Sequence, residues 1–272
     1  MRVKFVKMHG AGNDFVMVDD RAMAFPAEDA SFIARLANRP DGIGCEGVIL
    51  VRPAEQGADF AMRFFNPDGS EADLCGNGAR CVAAFALSIG AAPSAAMRFE
   101  TRAGTVSAEV LADGRVRIGM PAPKDLRKDF VNSGVPHAIV PVVDLAAADV
   151  AGEGRRIRFS AEFAPAGTNV DFVKWTGPSS LSIRTYERGV EAETFACGTG
   201  SVASALVGVA QYGLNFPVTV TTACGHRLEI GGSWDGTRFS DVTLTGPVKT
   251  VFCGEIAFTY ERPMFRSRAT GQ

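Results

Sequence analysis

Two short stretches carry the residues most able to do chemistry. Cys75 opens the string CGNG and Cys197 opens CGTG, and each leads into a long apolar run. Their surroundings match as well: RFFNPDGSEADLCGNGARCVAAFALSIG spans Arg63 to Gly90, and RTYERGVEAETFACGTGSVASALVGVAQYG spans Arg184 to Gly213. Each holds an arginine, an aromatic–polar pair (Phe65-Asn66, Tyr186-Glu187), an acidic loop containing glycine, and then the cysteine. A single Cys-Gly-x-Gly reads first as a small core residue beside a turn. Two copies in matching context read instead as related half-sites, with one thiol on each side of a substrate.

A thiol at a helix start lies near unpaired backbone N–H groups and the positive end of the helix dipole, and both favour thiolate. The glycines of CGNG and CGTG let a ligand approach those N–H groups closely, and the groups suit a carboxylate. Two such starts facing each other fit the inversion of a stereocentre next to a carboxylate. One cysteine, as thiolate, removes the α-proton from one face, and the other, as thiol, returns a proton to the opposite face. The N–H donors then stabilise the developing carbanion more than the ground state. GNG and GTG are not dinucleotide fingerprints, because the third glycine is missing and no Walker lysine follows. A cysteine hydrolase would need His137 beside one cysteine and would leave the second without purpose. A non-catalytic amino-acid-binding protein would need the N–H groups but not both thiols.

The elements that must position these residues follow from hydrophobic pattern. The chain has 272 residues, 46% of them hydrophobic, which is enough for a sizeable core. With 28 basic and 30 acidic residues, the net charge of −2 points to neither nucleic acid nor an anionic membrane. The first residues lack a signal-peptide apolar region, and no apolar run reaches membrane-spanning length, so a cytoplasmic setting is expected. None of the six cysteines forms CxxC, and the three histidines do not cluster with them, so no metal site is expected. Cys45, Cys81, Cys224 and Cys253 are assigned to packing.

Val3–Met8, Phe15–Asp20, Val48–Val51 and 59–65 read as strands. A helix is expected from Pro26 to about Arg39. The runs after Cys75 and Cys197 are apolar all round, as central helices wrapped by a sheet would be, with Gly90 stopping the first. Thr105–Val110 and Val116–Met120 form an expected hairpin. The polar stretch Pro121–Asp129 is the expected boundary between halves. Beyond it come strands at His137–Val143, 167–175 and 181–187, a short helical stretch at DLAAADV, and a strand series from Pro217 to Tyr260. Gly12-Asn13-Asp14-Phe15-Val16 is taken to correspond to 168–173. The fold class is α+β: two pseudo-symmetric domains, each a mixed, mostly antiparallel sheet wrapped around a central apolar helix. The first spans 1–120 and carries Cys75; the second spans 121–250 and carries Cys197; the active site lies in the cleft between them.

The strings KMHGAGNDFVMVD, FFNPDGSEADLCGNGARC, GTNVDFV, YERGVEAETFACGTGSVA and TGPVKTVFCGEI together resemble the diaminopimelate epimerase family, in order, over most of the chain. The resemblance implies interconversion of LL- and meso-diaminopimelate without pyridoxal phosphate or metal, feeding lysine and peptidoglycan synthesis. It implies a C-terminal strand within 251–272 that returns to the first domain, and a homodimer. Cys75 and Cys197 match the family's acid/base thiols, with His137 and Glu187 as neighbours that tune them. Asn13, Asn66, Asn169 and the Glu187-Arg188 pair match its substrate contacts, and Gly76-Asn77 and Gly198-Thr199 match its cradle for the reacting carboxylate. Where many members carry glutamine after the GIG turn this chain has Gly47, and where many carry asparagine before Pro-His it has Val135. A cofactor-independent racemase of another amino acid is the alternative, and read without the resemblance, the asparagines are ordinary turn formers and His137 a strand cap.

Overall fold

The computed structural model describes residues 2–258; the RPMFRSRATGQ tail, expected to be loosely ordered, lies outside them. The first half runs β1 (Arg2–Gly10), β2 (Asn13–Asp19), α1 (Ala30–Ala37), β3 (Val48–Arg52), β4 (Phe60–Phe65) and β5 (Glu71–Ala72). It continues with α2 (Gly76–Ser88), β6 (Ala96–Thr101), β7 (Gly104–Val110) and β8 (Val116–Gly119). After β9 (Lys124–Arg127) the second half runs β10 (Phe130–Asn132), β11 (Pro136–Pro141), α3 (Val150–Arg158), β12 (Asn169–Gly177), β13 (Ser180–Glu187) and β14 (Ala192–Thr194). It ends with α4 (Gly198–Tyr212), β15 (Val218–Thr221), β16 (Arg227–Trp234), β17 (Phe239–Gly246) and β18 (Val248–Ala257).

The pairing pattern is the same in both halves. β1 runs antiparallel to β2, β2 parallel to β3, β3 antiparallel to β4, β4 parallel to β6, and β6, β7 and β8 form an antiparallel meander. β10 through β17 repeat this order, with β11 parallel to β12 and β13 parallel to β15. The halves join where β8 pairs antiparallel with β17, which sets Ile118 opposite Leu244. The strands that follow are exchanged in the same sense. β9, after the last strand of the first half, pairs with β10 at the start of the second, and β18, after the last strand of the second, pairs with β1. Lys124–Arg127, inside the polar stretch read as a boundary, is thus a strand.

Each sheet has two buried faces, which explains strand runs with no polar alternation. Met17, Ile49 and Val51 turn toward the core around α2, while Val16, Val18, Val48 and Leu50 turn outward against Phe32, Ile33 and Leu36 of α1. In the second half Val173 and Ile183 face α4, and Val170, Phe172 and Tyr186 pack on the α3 side. One continuous core includes Val82 and Ala83 of α2 and Leu206 and Val207 of α4. Gly90 (φ +66°) and Gly213 (φ +73°) take the left-handed turn that ends each central helix.

Several local expectations are corrected. α1 begins at Ala30 rather than Pro26, because Asp29 accepts a hydrogen bond from the Phe32 N–H at 3.0 Å and caps it there. DLAAADV is not helical, since Asp144 folds back on the Ala146 N–H at 3.0 Å. The helix starts only after Asp149, which caps Gly152 at 2.9 Å. Its two glycines hid it, yet Gly154 is required: a Cβ there would lie 2.6 Å from Tyr186 Cβ. Topology equates β12 with β3, so Asn13, at the start of β2, does not correspond to Asn169, at the start of β12. Cys45 and Cys81 are buried, but Cys224 and Cys253 are exposed, Cys224 donating weakly to the Ala11 and Phe195 carbonyls at 3.6 and 3.4 Å.

Leu206 is fully buried in α4. Leu206→Ala is expected to destabilise the protein by about 3 kcal/mol, read as a lower midpoint in urea with circular dichroism.

Candidate functional site

The two central helices begin at Cys75 and Cys197, which occupy the cap positions in extended backbone conformation. Their first helical residues, Gly76 and Gly198, meet over the Ile118–Leu244 pair. A Cβ on Gly198 would lie 3.9 Å from Gly76 Cα, and a Cβ on either glycine would touch Leu244 Cδ2 at 3.4 Å. Both thiols therefore open on one cavity of about 190 Å³, and Gly76, Asn77, Gly198 and Thr199 line it beside them. Asn13, Asn169, Glu187, Arg188 and Val135 complete its wall.

A buried arginine secures this junction. Arg80, on the first turns of α2, is fully buried. Its guanidinium donates to Asn77 Oδ1 at 2.7 Å and to the Gly76 carbonyl at 3.2 Å. Asn77 Nδ2 in turn donates to the Ala196 carbonyl at 3.2 Å, just before Cys197, and so ties one half to the other. Burial lowers the arginine's proton affinity, and the Cys81 and Cys75 thiols oppose that shift. Sequence reading gave Arg80, at the head of the apolar run, no role of its own. The signal was present, since a cation inside a helix apolar all round must find buried partners.

On the Cys197 side a chain of polar groups runs inward from the thiol. Cys197 Sγ lies 3.5 Å from Thr199 Oγ1 and receives the Gly200 N–H at 3.4 Å. Thr199 Oγ1 lies 2.9 Å from His137 Nε2, and His137 Nδ1 lies 2.7 Å from Asp171 Oδ2. Thr185 donates to Asp171 Oδ1 at 2.7 Å. His137 and Asp171 are completely buried, so His137 stays behind Thr199 and does not itself line the cavity. Asp171 and Thr185 were missed in the sequence. Their signal lies in strand alternation: Val170 and Phe172 face α3, which leaves the Asp171 carboxylate on the inward face with Val173.

The Cys75 side differs. Asn13 Nδ2 stands 4.0 Å from Cys75 Sγ, and Asn13 Oδ1 is buried without a hydrogen-bond partner. That leaves an acceptor free for a ligand's N–H. Asn169 is largely committed to the protein, since it donates to the Pro136 carbonyl at 3.1 Å and accepts from the Arg188 backbone N–H at 2.8 Å. It thereby sets where Arg188 leaves β13. Asn66 stands apart, in an adjoining cavity of about 660 Å³ that shares Asn13, Cys75 and Glu187 with the first.

Ionisation runs against the expectation of ready thiolates. Burial pushes the Cys75 thiol up, with N–H groups of Gly78 and Asn77 pulling the other way. Burial also pushes Cys197 well up, and Glu187 and Asp171 add to it, against Thr199 and the Gly200 N–H. The helix starts do favour thiolate, but desolvation outweighs them. Burial likewise raises the Glu187 carboxyl.

The fold is shared with solved proteins of phenazine-biosynthesis and proline-racemase type. A Bacillus anthracis phenazine biosynthesis protein of the PhzF family superposes with a TM-score of 0.74 at 16% identity, over 95% of this chain and 100% of that one. A probable proline racemase from Agrobacterium radiobacter K84 gives 0.68 at 20% identity, over 96% and 95%. Sequence narrows the class further. A profile of diaminopimelate epimerase matches residues 5–124 and 130–251, and the diaminopimelate epimerase of Aquifex aeolicus is 41% identical over 278 residues, 94% of this chain and 98% of that protein. The chain belongs to the diaminopimelate epimerase family.

A carboxyl raised by burial binds its proton more tightly in the folded than in the unfolded chain. Its contribution to stability is full below the unfolded-state value and is lost as pH rises through the folded-state value. Glu187→Gln removes this loss. The variant is expected to gain melting temperature relative to the parent as pH is raised from 4 toward 8, as read by calorimetry across that range.

Proposed function

We propose that the protein interconverts LL- and meso-2,6-diaminopimelate by proton transfer between two thiols, in the supply of lysine and peptidoglycan precursors. The observation that carries this reading is the meeting of two cysteine-capped helix starts on one small cavity, in a chain of this family. The reacting α-carboxylate sits against the N–H groups of Gly76, Asn77, Gly198 and Thr199, where two positive helix ends converge. Cys75 and Cys197 then stand on opposite faces of the α-carbon. One takes its proton while the other supplies a proton from the far side, and the N–H groups hold the charge that moves onto the carboxylate. His137 and Glu187 tune the thiols. Asn13, Asn66, Asn169 and Arg188 receive the distal amino-acid end, with the arginine suited to a two-point contact with its carboxylate.

The working unit is a cleft between a half formed by 1–120, completed by β18, and a half formed by 121–250. Free cysteines at the surface suit a reducing cytoplasm. The protein acts as a homodimer, with β18 as the contact. Its outer edge is unpaired among the described strands, Val251 and Phe252 are 54% and 47% exposed, and Phe5, Met17, Phe85 and Ile89 line an apolar groove beside it.

Incubation of the reduced protein with LL-diaminopimelate in deuterium oxide, followed by NMR, is expected to give the meso isomer with deuterium at the inverted carbon. Turnover of another amino acid with none of diaminopimelate would assign the cleft to a different substrate. Cys75→Ala and Cys197→Ala are each expected to slow epimerisation by about a thousandfold or more, roughly 4 kcal/mol of barrier, and a loss under tenfold would sink the two-thiol mechanism. Sedimentation of the parent as a dimer and of Phe252→Asp as a monomer checks the assembly.

A further inference from the structure

The matching topology gives each residue near one thiol a counterpart near the other. With Phe65 set equivalent to Tyr186, the strand registers equate Ile49 with Asp171, Phe64 with Thr185 and Phe15 with His137. Glycine contacts give the same answer independently. A Cβ on Gly78 would strike Ile49 Cδ1 at 2.7 Å, and one on Gly200 would strike Asp171 Oδ1 at 2.5 Å. The cysteine motifs equate Asn77 with Thr199 and Arg80 with Val202.

The two surroundings are therefore chemically unlike. Behind Cys197 stand Thr199, His137, Asp171 and Thr185 in unbroken hydrogen-bond contact. Behind Cys75 the same places hold Phe15, Ile49 and Phe64, and Asn77 is committed to Arg80 and Ala196. We propose that Thr199, His137 and Asp171 form a proton relay that serves Cys197 alone, with Thr199 and Asp171 as positioning residues. Its place in turnover rests on the two-thiol reading above.

The direction of the relay follows from what each group can donate. A carboxylate only accepts, so Asp171 fixes the hydrogen on His137 Nδ1 and leaves the Nε2 lone pair facing Thr199. Thr199 donates its hydroxyl hydrogen to Nε2 and turns a lone pair toward Cys197. When Cys197 ionises, the S–H bond breaks as its proton joins Thr199 Oγ1, and the original Thr199 O–H bond breaks as that proton joins Nε2. A thiolate and an imidazolium result, with Asp171 still a carboxylate, and the reverse step restores the thiol. The burial that pushes the Cys197 thiol up is what makes a receiving group necessary. Arg80 cannot play this part at Cys75, because a guanidinium offsets negative charge but has no lone pair to take a proton.

The charged and ionisable groups around Cys197 are His137 on β11, reached through Thr199, Asp171 on β12 and Glu187 on β13, with Arg188 and Cys75 lining the same cavity. Thiolate ultraviolet absorbance measured against pH tests the relay on the ligand-free protein. Subtracting the Cys75→Ser/Cys197→Ser curve from that of Cys75→Ser isolates Cys197, and subtracting it from that of Cys197→Ser isolates Cys75. Adding Thr199→Val is expected to raise the Cys197 transition by about one pH unit or more, a tenfold change in proton affinity, and Thr199→Ser to bring it back toward the parent. Cys75 should stay in place throughout. Asp171→Asn is expected to move Cys197 the same way, and the Thr199 pair decides the matter where that variant does not fold. A Thr199→Val shift of the Cys197 transition that is absent, or that Cys75 shares, overturns the relay. Epimerisation is assayed separately. A protein inactive on diaminopimelate that keeps the Thr199-dependent Cys197 transition overturns the proposed function and supports the relay. An active one lacking that transition overturns the relay alone.

Discussion

Two positive helix ends held against each other form the constraint on which the rest depends. α2 and α4 both start at Gly-x-Gly, and their first residues lie side by side over the Ile118–Leu244 pair. Like ends of two dipoles repel, and the repulsion is strongest in the first turn. The fold resists it from behind, with each helix wrapped by its own sheet and the two sheets sewn together at β8 and β17. Arg80, Asn77 and the Ala196 carbonyl add a direct tie across the junction. The junction is consequently short of negative charge, and an anionic group placed there relieves a tension built into the scaffold.

A symmetric scaffold need not carry symmetric chemistry. The two halves share their strand order, their parallel and antiparallel pairings and the placement of both helices. They differ in the side chains that back each thiol, apolar behind Cys75 apart from Arg80 and polar behind Cys197. A substrate whose two ends are alike but whose reacting centre must be approached from both faces meets two unequal walls. The repeated pairing pattern supplies the geometry, and Phe15 against His137, or Ile49 against Asp171, supplies the difference.

Much of this was legible in the sequence. The cysteine strings, their aromatic–polar forerunners and the all-round apolar runs located both central helices and both thiols, because local spacing encodes helix starts and burial. Strand positions followed from apolar runs bounded by turn residues. What stayed hidden depends on contacts distant in sequence. Asp171 reads as one polar residue in a strand until pairing turns it toward His137, and the part played by Arg80, at the head of an apolar run, shows only in its contacts with Gly76 and Asn77. The helix α3 was lost because Gly152 and Gly154 lower helix propensity, and the packing reason for Gly154 is revealed only by Tyr186 and that for Gly152 only by the Asp149 cap. The tendency of the thiols depended on how deeply they are buried, which spacing does not encode.

The exchange of β18 onto β1 has a consequence for how the chain is made. Arg2 and Glu255 form an ion pair across 253 residues of sequence, so β1 waits for almost the whole chain before its partner exists. The second half gains β9 from just upstream and can close its sheet as it emerges. The first half, although synthesised earlier, is completed later, with the edge of β1 unpaired in the meantime. Contacts this distant slow folding, and the first half closes after the second, so that the order of translation and the order of folding run opposite ways.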